Sequence, residues 1–141
     1  MLYEELRRQR KGCPFCDGTR NERLAESAHA YLTYALAPYH EHHLLVIPKR
    51  HVESINDLTD EEETDISNLE QKGIQALQKL GYESSSLLVR EGSAKNRSVR
   101  YIHFHVIPEI QIGSLNSKGA ERRVITKEEV EKTIREIEAV L

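Results

Sequence analysis

The sequence predicts an α+β fold: one antiparallel sheet of about five strands, a single long helix laid across it and a shorter helix at the C-terminal end. Three features point there. The run Tyr101-Ile-His-Phe-His-Val-Ile-Pro108 alternates, so that Ile102, Phe104 and Val106 share one face while Tyr101, His103, His105 and Ile107 share the other. Thr59-x-x-Glu62 is a capping box, and behind it Ile66, Leu69, Ile74, Leu77 and Leu80 recur at helical spacing until Gly81 stops the helix. The connection from Arg90 to Val99 is too short for a helical crossover, so the strands on either side of it pair antiparallel.

In chain order, Met1-Leu-Tyr-Glu-Glu-Leu-Arg-Arg8 reads as a charged amphipathic helix leading into the knuckle Cys13-Pro-Phe-Cys16, the two together occupying residues 1–20. Arg23 to Glu26 and Ala30 to Leu36 form strands around a turn at Ser27 to His29, and Ala37-Pro38 closes the second. Leu44 to Ile47 is the third strand, ended by Pro48. After the long helix come a strand at Leu87 to Arg90, a polar loop at Glu91 to Asn96 and a long last strand from Val99 to Pro108. Gln111 to Arg123 is polar with two glycines and reads as a mobile loop, and Thr126-x-x-Glu129 caps a closing helix within residues 124–141. With 141 residues and 38% hydrophobic content, the expectation is one domain over residues 1–141 that buries a core without staples.

No apolar stretch has the length to cross a bilayer and the charged start does not read as a signal peptide, so a cytoplasmic protein without a membrane partner is expected. A formal net charge of -3 disfavours extended nucleic-acid binding and leaves small anionic ligands open. Both cysteines fall in one Cys-x-x-Cys motif, which in a cytosolic chain is metal-binding or redox-active sooner than a structural disulfide. A redox pair should follow an apolar strand and open a helix that acidifies its thiol. This pair follows Leu6-Arg-Arg-Gln-Arg-Lys-Gly12 and precedes Asp17-Gly18, so zinc leads, with two unligated thiols as the plain alternative.

A His-x-His pair in a strand is more often a surface feature than a catalyst. Here it has company, because His40, His42, His43 and His51 surround the apolar run Leu44-Leu-Val-Ile47, and two such strands side by side build a histidine-rich cleft. Imidazoles held rigidly in this way suit nucleophilic or metal chemistry.

Together, Cys13-Pro-Phe-Cys16, Pro38-x-x-x-x-His43-Leu-Leu-Val-Ile-Pro-Lys-Arg-His51, Glu91-Gly-Ser93 and Ser98-Val-x-x-x-His103-Phe-His105-Val-Ile-Pro108 resemble the histidine-triad (HIT) family of nucleotide hydrolases and transferases. The resemblance implies a HIT-like fold, a homodimer, a small nucleotide substrate and no catalytic cofactor. It implies that His103 attacks the α-phosphorus to form a nucleotidyl-imidazole, that His105 donates toward the phosphate and that His43 supports the catalytic strand. It further implies that Ser98 lies beside the phosphates, and that Arg97, where many members carry glutamine, binds phosphate oxygens. Zinc-carrying relatives hold their structural metal through positions that map to Cys13, Cys16, His51 and Tyr101.

Three departures from the family pattern matter. The first histidine of the triad is Tyr101, an uncommon zinc ligand, so the fourth metal position falls to Tyr101, a water, His29 or nothing. Ala35 stands where some relatives place an acidic residue for the ribose, and Arg90 where an asparagine often lies, which alters the substrate-binding set Ser98, Arg97 and Arg90. Arg97, an added arginine near the phosphate loop, favours dinucleoside polyphosphates over small phosphoramidates. The expected function is thus nucleotide hydrolysis at the α-phosphate. The alternatives are a nucleotidyl transferase or phosphorylase using the same intermediate, a catalytically weakened nucleotide-binding protein, and a hydrolytic centre in which histidines and cysteines share one metal.

Overall fold

Five strands, β1 (Ala25–Glu26), β2 (Ala30–Tyr34), β3 (Leu44–Pro48), β4 (Ser85–Val89) and β5 (Phe104–Pro108), form one antiparallel sheet in the order β1-β2-β3-β5-β4. Among the described residues the α-helices are α1 (Tyr3–Gln9), α2 (Asp60–Lys79) and α3 (Lys127–Glu138). This is the α+β arrangement expected, here in a computed structural model that describes residues 2–9, 12–13, 15–16, 23–92, 99–110, 124 and 126–140. Arg97, Ser98, the loop at Gln111 to Arg123 and most of the polar loop before Arg97 lie outside the described residues. No helix among the described residues is long and apolar enough to cross a membrane.

α2 covers one face of the sheet. Its start is held by the capping box: the Thr59 hydroxyl accepts from the Glu62 amide at 3.1 Å and the Glu62 carboxylate accepts from the Thr59 amide at 3.2 Å. Its end is a left-handed Gly81 at φ 98°, with Gly81 N–H bonding to Gln78 O and Tyr82 N–H to Leu77 O, the double closure that satisfies the last free carbonyls. Ile66, Leu69 and Leu77 pack against Leu32, Leu44, Val46 and Val106, with Ile74 and Phe104 partly buried at the margin. Leu80 departs from the expected stripe and is exposed, because it lies past the last helical turn.

Gly73 takes an interior place in that stripe instead. An added Cβ there would stand 3.5 Å from the Leu32 and Leu44 methyls and 3.7 Å from Val106, which is ordinary contact. Gly73→Ala is therefore expected to stabilise the fold by about 0.5–1 kcal/mol through reduced backbone freedom; urea unfolding that shows a loss instead would mean the core cannot accept a methyl.

The strand boundaries of β2, β4 and β5 differ from the sequence reading. β5 starts at Phe104 and not at Val99, since the segment before it sends its polar groups elsewhere: Ile102 N–H bonds to Val52 O at 2.7 Å and the Tyr101 hydroxyl to Pro48 O at 2.5 Å. β4 starts two residues earlier than expected, because Ser85 and Ser86 pair with Pro108 and Ile107 despite their low strand propensity. β2 stops at Tyr34, although Ala35 N–H still bonds to His43 O at 2.9 Å before Pro38 turns the chain.

Candidate active site

The sheet face away from α2 carries the candidate site. Register fixes its order, for Thr33 lies opposite Leu45, Leu45 opposite His105, and His105 opposite Leu88. Tyr31, Leu45, Ile47 and Tyr101 form an apolar cluster on this face, joined at its edge by Phe15 and Val99. A cavity of about 360 Å³ opens beside it, lined among others by Phe15, Thr33, His43, Arg90, His103 and His105. That volume suits a small ligand.

The hydrogen bonds set the tautomer of each histidine. Tyr39 N–H can only donate, and it reaches His43 Nδ1 at 3.1 Å, so His43 carries its proton on Nε2. That proton points to His105 Nδ1 at 2.9 Å, which leaves the His105 proton on Nε2. His103 Nδ1 lies 2.8 Å from the Tyr101 carbonyl, which can only accept; His103 therefore donates through Nδ1 and keeps a lone pair on Nε2. The result is a nucleophilic nitrogen next to a hydrogen-bond donor, with the two rings 4.9 Å apart.

Burial maintains this state. His43 is 3% exposed and His105 7%, too little water to solvate an imidazolium. Burial, reinforced by His103, lowers His43 to about 4. Burial, then His103, His43 and Arg90, lowers His105 to about 3. Both rings are neutral near pH 7, as the relay requires.

Of the residues singled out by sequence, His43, His103, His105 and Arg90 meet in this cavity. Ser98 and Arg97 lie outside the described residues. Sequence reasoning missed Tyr39 and Phe15. Tyr39 anchors His43 through its amide and stacks on it at 5.7 Å; its signal was the Pro38 turn, which brings the amide back to a side chain four residues on. Phe15, between the cysteines, sits 5.3 Å from the His103 ring and 5.6 Å from the Tyr101 ring.

Cys13, Cys16 and His51 offer ligand atoms within 4.8 Å of one another, and among the described residues they are the one such group of histidines, cysteines and carboxylates. The histidines of the cavity are not part of it, which corrects the reading of a single shared metal centre. Two thiolates and an imidazole are zinc-type donors, and a tetrahedral ion would hold such atoms about 3.5–3.8 Å apart. Cys16 Sγ and His51 Nδ1 stand at 2.9 Å, so they fit after a small opening. His51 Nε2 faces Glu53 at 3.6 Å, the carboxylate arrangement that orients a metal-binding imidazole.

Tyr101 is not suited to the fourth place. Its phenol is protonated, donates to Pro48 O and is pushed up by burial above the ordinary tyrosine value, whereas a ligand must lose its proton. His29 is likewise outside the group, its backbone amide bound to Asp65.

Known proteins resemble this chain in sequence and in fold. A HIT-like protein of Methanocaldococcus jannaschii is 28% identical over 127 residues, covering 87% of this chain and 98% of its own. The adenosine 5'-monophosphoramidase of Schizosaccharomyces pombe is 34% identical, covering 69% of this chain and 74% of its own. The asymmetrical bis(5'-nucleosyl)-tetraphosphatase of the same yeast is 35% identical over 52% of this chain and 41% of its own. A HIT family protein from Bacillus subtilis superposes with a TM-score of 0.71 at 24% identity, covering 93% of this chain and 98% of its own. A zinc-bound histidine triad protein from Mycobacterium smegmatis gives 0.57 at 26% identity, over 76% of each chain. The HIT domain model matches residues 19–112, the span holding the five described strands and the histidine relay, and the chain belongs to that family.

Proposed function

We propose that this protein is a nucleotide hydrolase that cleaves at the α-phosphate of a dinucleoside polyphosphate or related nucleotide. The observation that carries the reading is the tautomer of His103, whose Nδ1–H is held by the Tyr101 carbonyl so that Nε2 presents its lone pair. In the first step that lone pair forms a bond to phosphorus while the bond to the leaving group breaks, the electron pair departing with the leaving group. His105 keeps its Nε2 proton and hydrogen-bonds through it to a non-bridging phosphate oxygen, where charge builds. Water then displaces the imidazole, loses its proton to solvent and returns His103 to its starting state. The named activities of the two yeast relatives support a phosphorus-centred hydrolysis.

The test is incubation with diadenosine tetraphosphate and with adenosine 5'-phosphoramidate, following mononucleotide release by chromatography and the protein by intact mass under non-acidic conditions. Turnover with a transient nucleotidyl mass on the chain is expected. Binding without turnover or adduct would leave a nucleotide-binding protein and overturn the reading.

Structural zinc at Cys13, Cys16 and His51 belongs to the same proposal, as do a homodimer and a cytoplasmic setting. When bound, zinc would supply no chemistry to the reaction and would tie the knuckle to the segment after β3. Because Phe15 projects from that knuckle against His103, Cys16→Ala is expected to abolish zinc binding, lower the melting temperature and raise KM several-fold with a smaller effect on kcat. Metal analysis together with a thermal melt checks this, and full zinc retention by the variant would remove Cys16 from the ligand set.

A further inference from the structure

We propose that Arg90 forms an anion subsite beyond the histidine pair, which binds the phosphate-bearing leaving group and makes polyphosphate-linked nucleotides the preferred substrates. The inference rests on the hydrolase reading above. Its basis is the order of side chains across the sheet. Tyr31 and Thr33 of β2 and Leu45 and Ile47 of β3 supply an apolar flank; β5 places His105 at the centre; β4, on the other side of β5, leads directly into Arg90. An uncharged nucleoside fits the apolar flank, the α-phosphate meets the histidines, and the rest of the substrate extends toward the guanidinium.

Charge on the lining agrees with this. Among the described residues that line the cavity there is no carboxylate, and Arg90 carries the one permanent charge. It is half-buried and held in place by a neutral partner: Nη2 donates to the Tyr39 hydroxyl at 3.1 Å, and the guanidinium lies 5.7 Å from the Tyr39 ring centre. Among the described residues no carboxylate lines the cavity beside it, which suits a ligand that brings negative charge. A guanidinium takes phosphate in a two-pronged contact, whereas the amine of a phosphoramidate brings it no negative charge.

The test compares wild type with Arg90→Gln on diadenosine tetraphosphate and on adenosine 5'-phosphoramidate. A fall of about 10–100-fold in kcat/KM for the tetraphosphate, several times larger than any fall on the phosphoramidate, is the expected result. A thermal melt of the variant is the control for folding. Equal losses on both substrates would show that Arg90 merely steadies Tyr39, and no loss on either would show that it lies outside substrate contact; each overturns the subsite. Titration with adenosine 5'-tetraphosphate and with AMP separates this proposal from the function it rests on. Should wild type turn over neither substrate, the hydrolase reading fails, while a selective loss of adenosine tetraphosphate binding in Arg90→Gln still supports the subsite and equal binding still removes it.

Discussion

Replacing His103 with alanine is expected to lower kcat by about three orders of magnitude or more, to abolish the nucleotidyl adduct and to leave mononucleotide binding within a few-fold of wild type. The size of the effect follows from the two ring states. His105 cannot take over as nucleophile, because its Nδ1 accepts from His43 and its Nε2 bears the proton. His43 cannot either, since its Nδ1 is engaged by the Tyr39 amide and its Nε2 proton by His105. No second lone pair in the relay faces the cavity. Measured by single-turnover kinetics and intact mass, a kcat within ten-fold of wild type would place the nucleophile elsewhere. Because His103 is only partly buried, its removal opens less of the core than loss of His43 or His105.

The features legible in the sequence are those set by local geometry. A period of two suffices to put His103 and His105 on one face, and the capping box with its apolar stripe suffices to place α2. The antiparallel pairing of β4 with β5 follows from a connection length alone. What the letters do not carry is where polar groups separated by long stretches of chain find one another. The His43–His105 bond spans 62 residues and the Tyr101–Pro48 bond spans 53, so neither the direction of the proton relay nor the loss of Tyr101 as a metal ligand is readable from spacing. The early end of the β5 ladder has the same origin, in an amide that pairs with Val52. Phe15 is a similar case: its neighbours Cys13 and Cys16 announce metal chemistry, while its contact with His103 depends on how the knuckle lies on the sheet.

Substituting His43 tests the relay itself. His43→Leu removes the donor to His105 Nδ1, whose most economical response is to move its own proton onto a buried nitrogen that lacks a partner, turning Nε2 from donor to acceptor. A lone pair would then face the phosphate, and kcat is expected to fall about 100-fold while His103 and its adduct chemistry remain. His43→Gln places an amide N–H near the lost Nε2 and is expected to recover part of the rate, which a purely space-filling role for His43 would not predict. Stability provides the second readout. In the folded protein His43 and His105 stay neutral down to about 4 and about 3, whereas the unfolded chain takes up protons below the ordinary histidine value. The unfolded state thus binds more protons between those limits, so stability is full above that ordinary value and is lost as pH falls toward the folded values, by about 1.4 kcal/mol per pH unit for each ring. Urea unfolding of wild type between pH 6.5 and 5, above the range where most carboxylates titrate, should show this slope, and His43→Leu should show about half of it. An unchanged slope in the variant would mean that His43 is not held neutral by its burial, and the proton relay would lose its foundation.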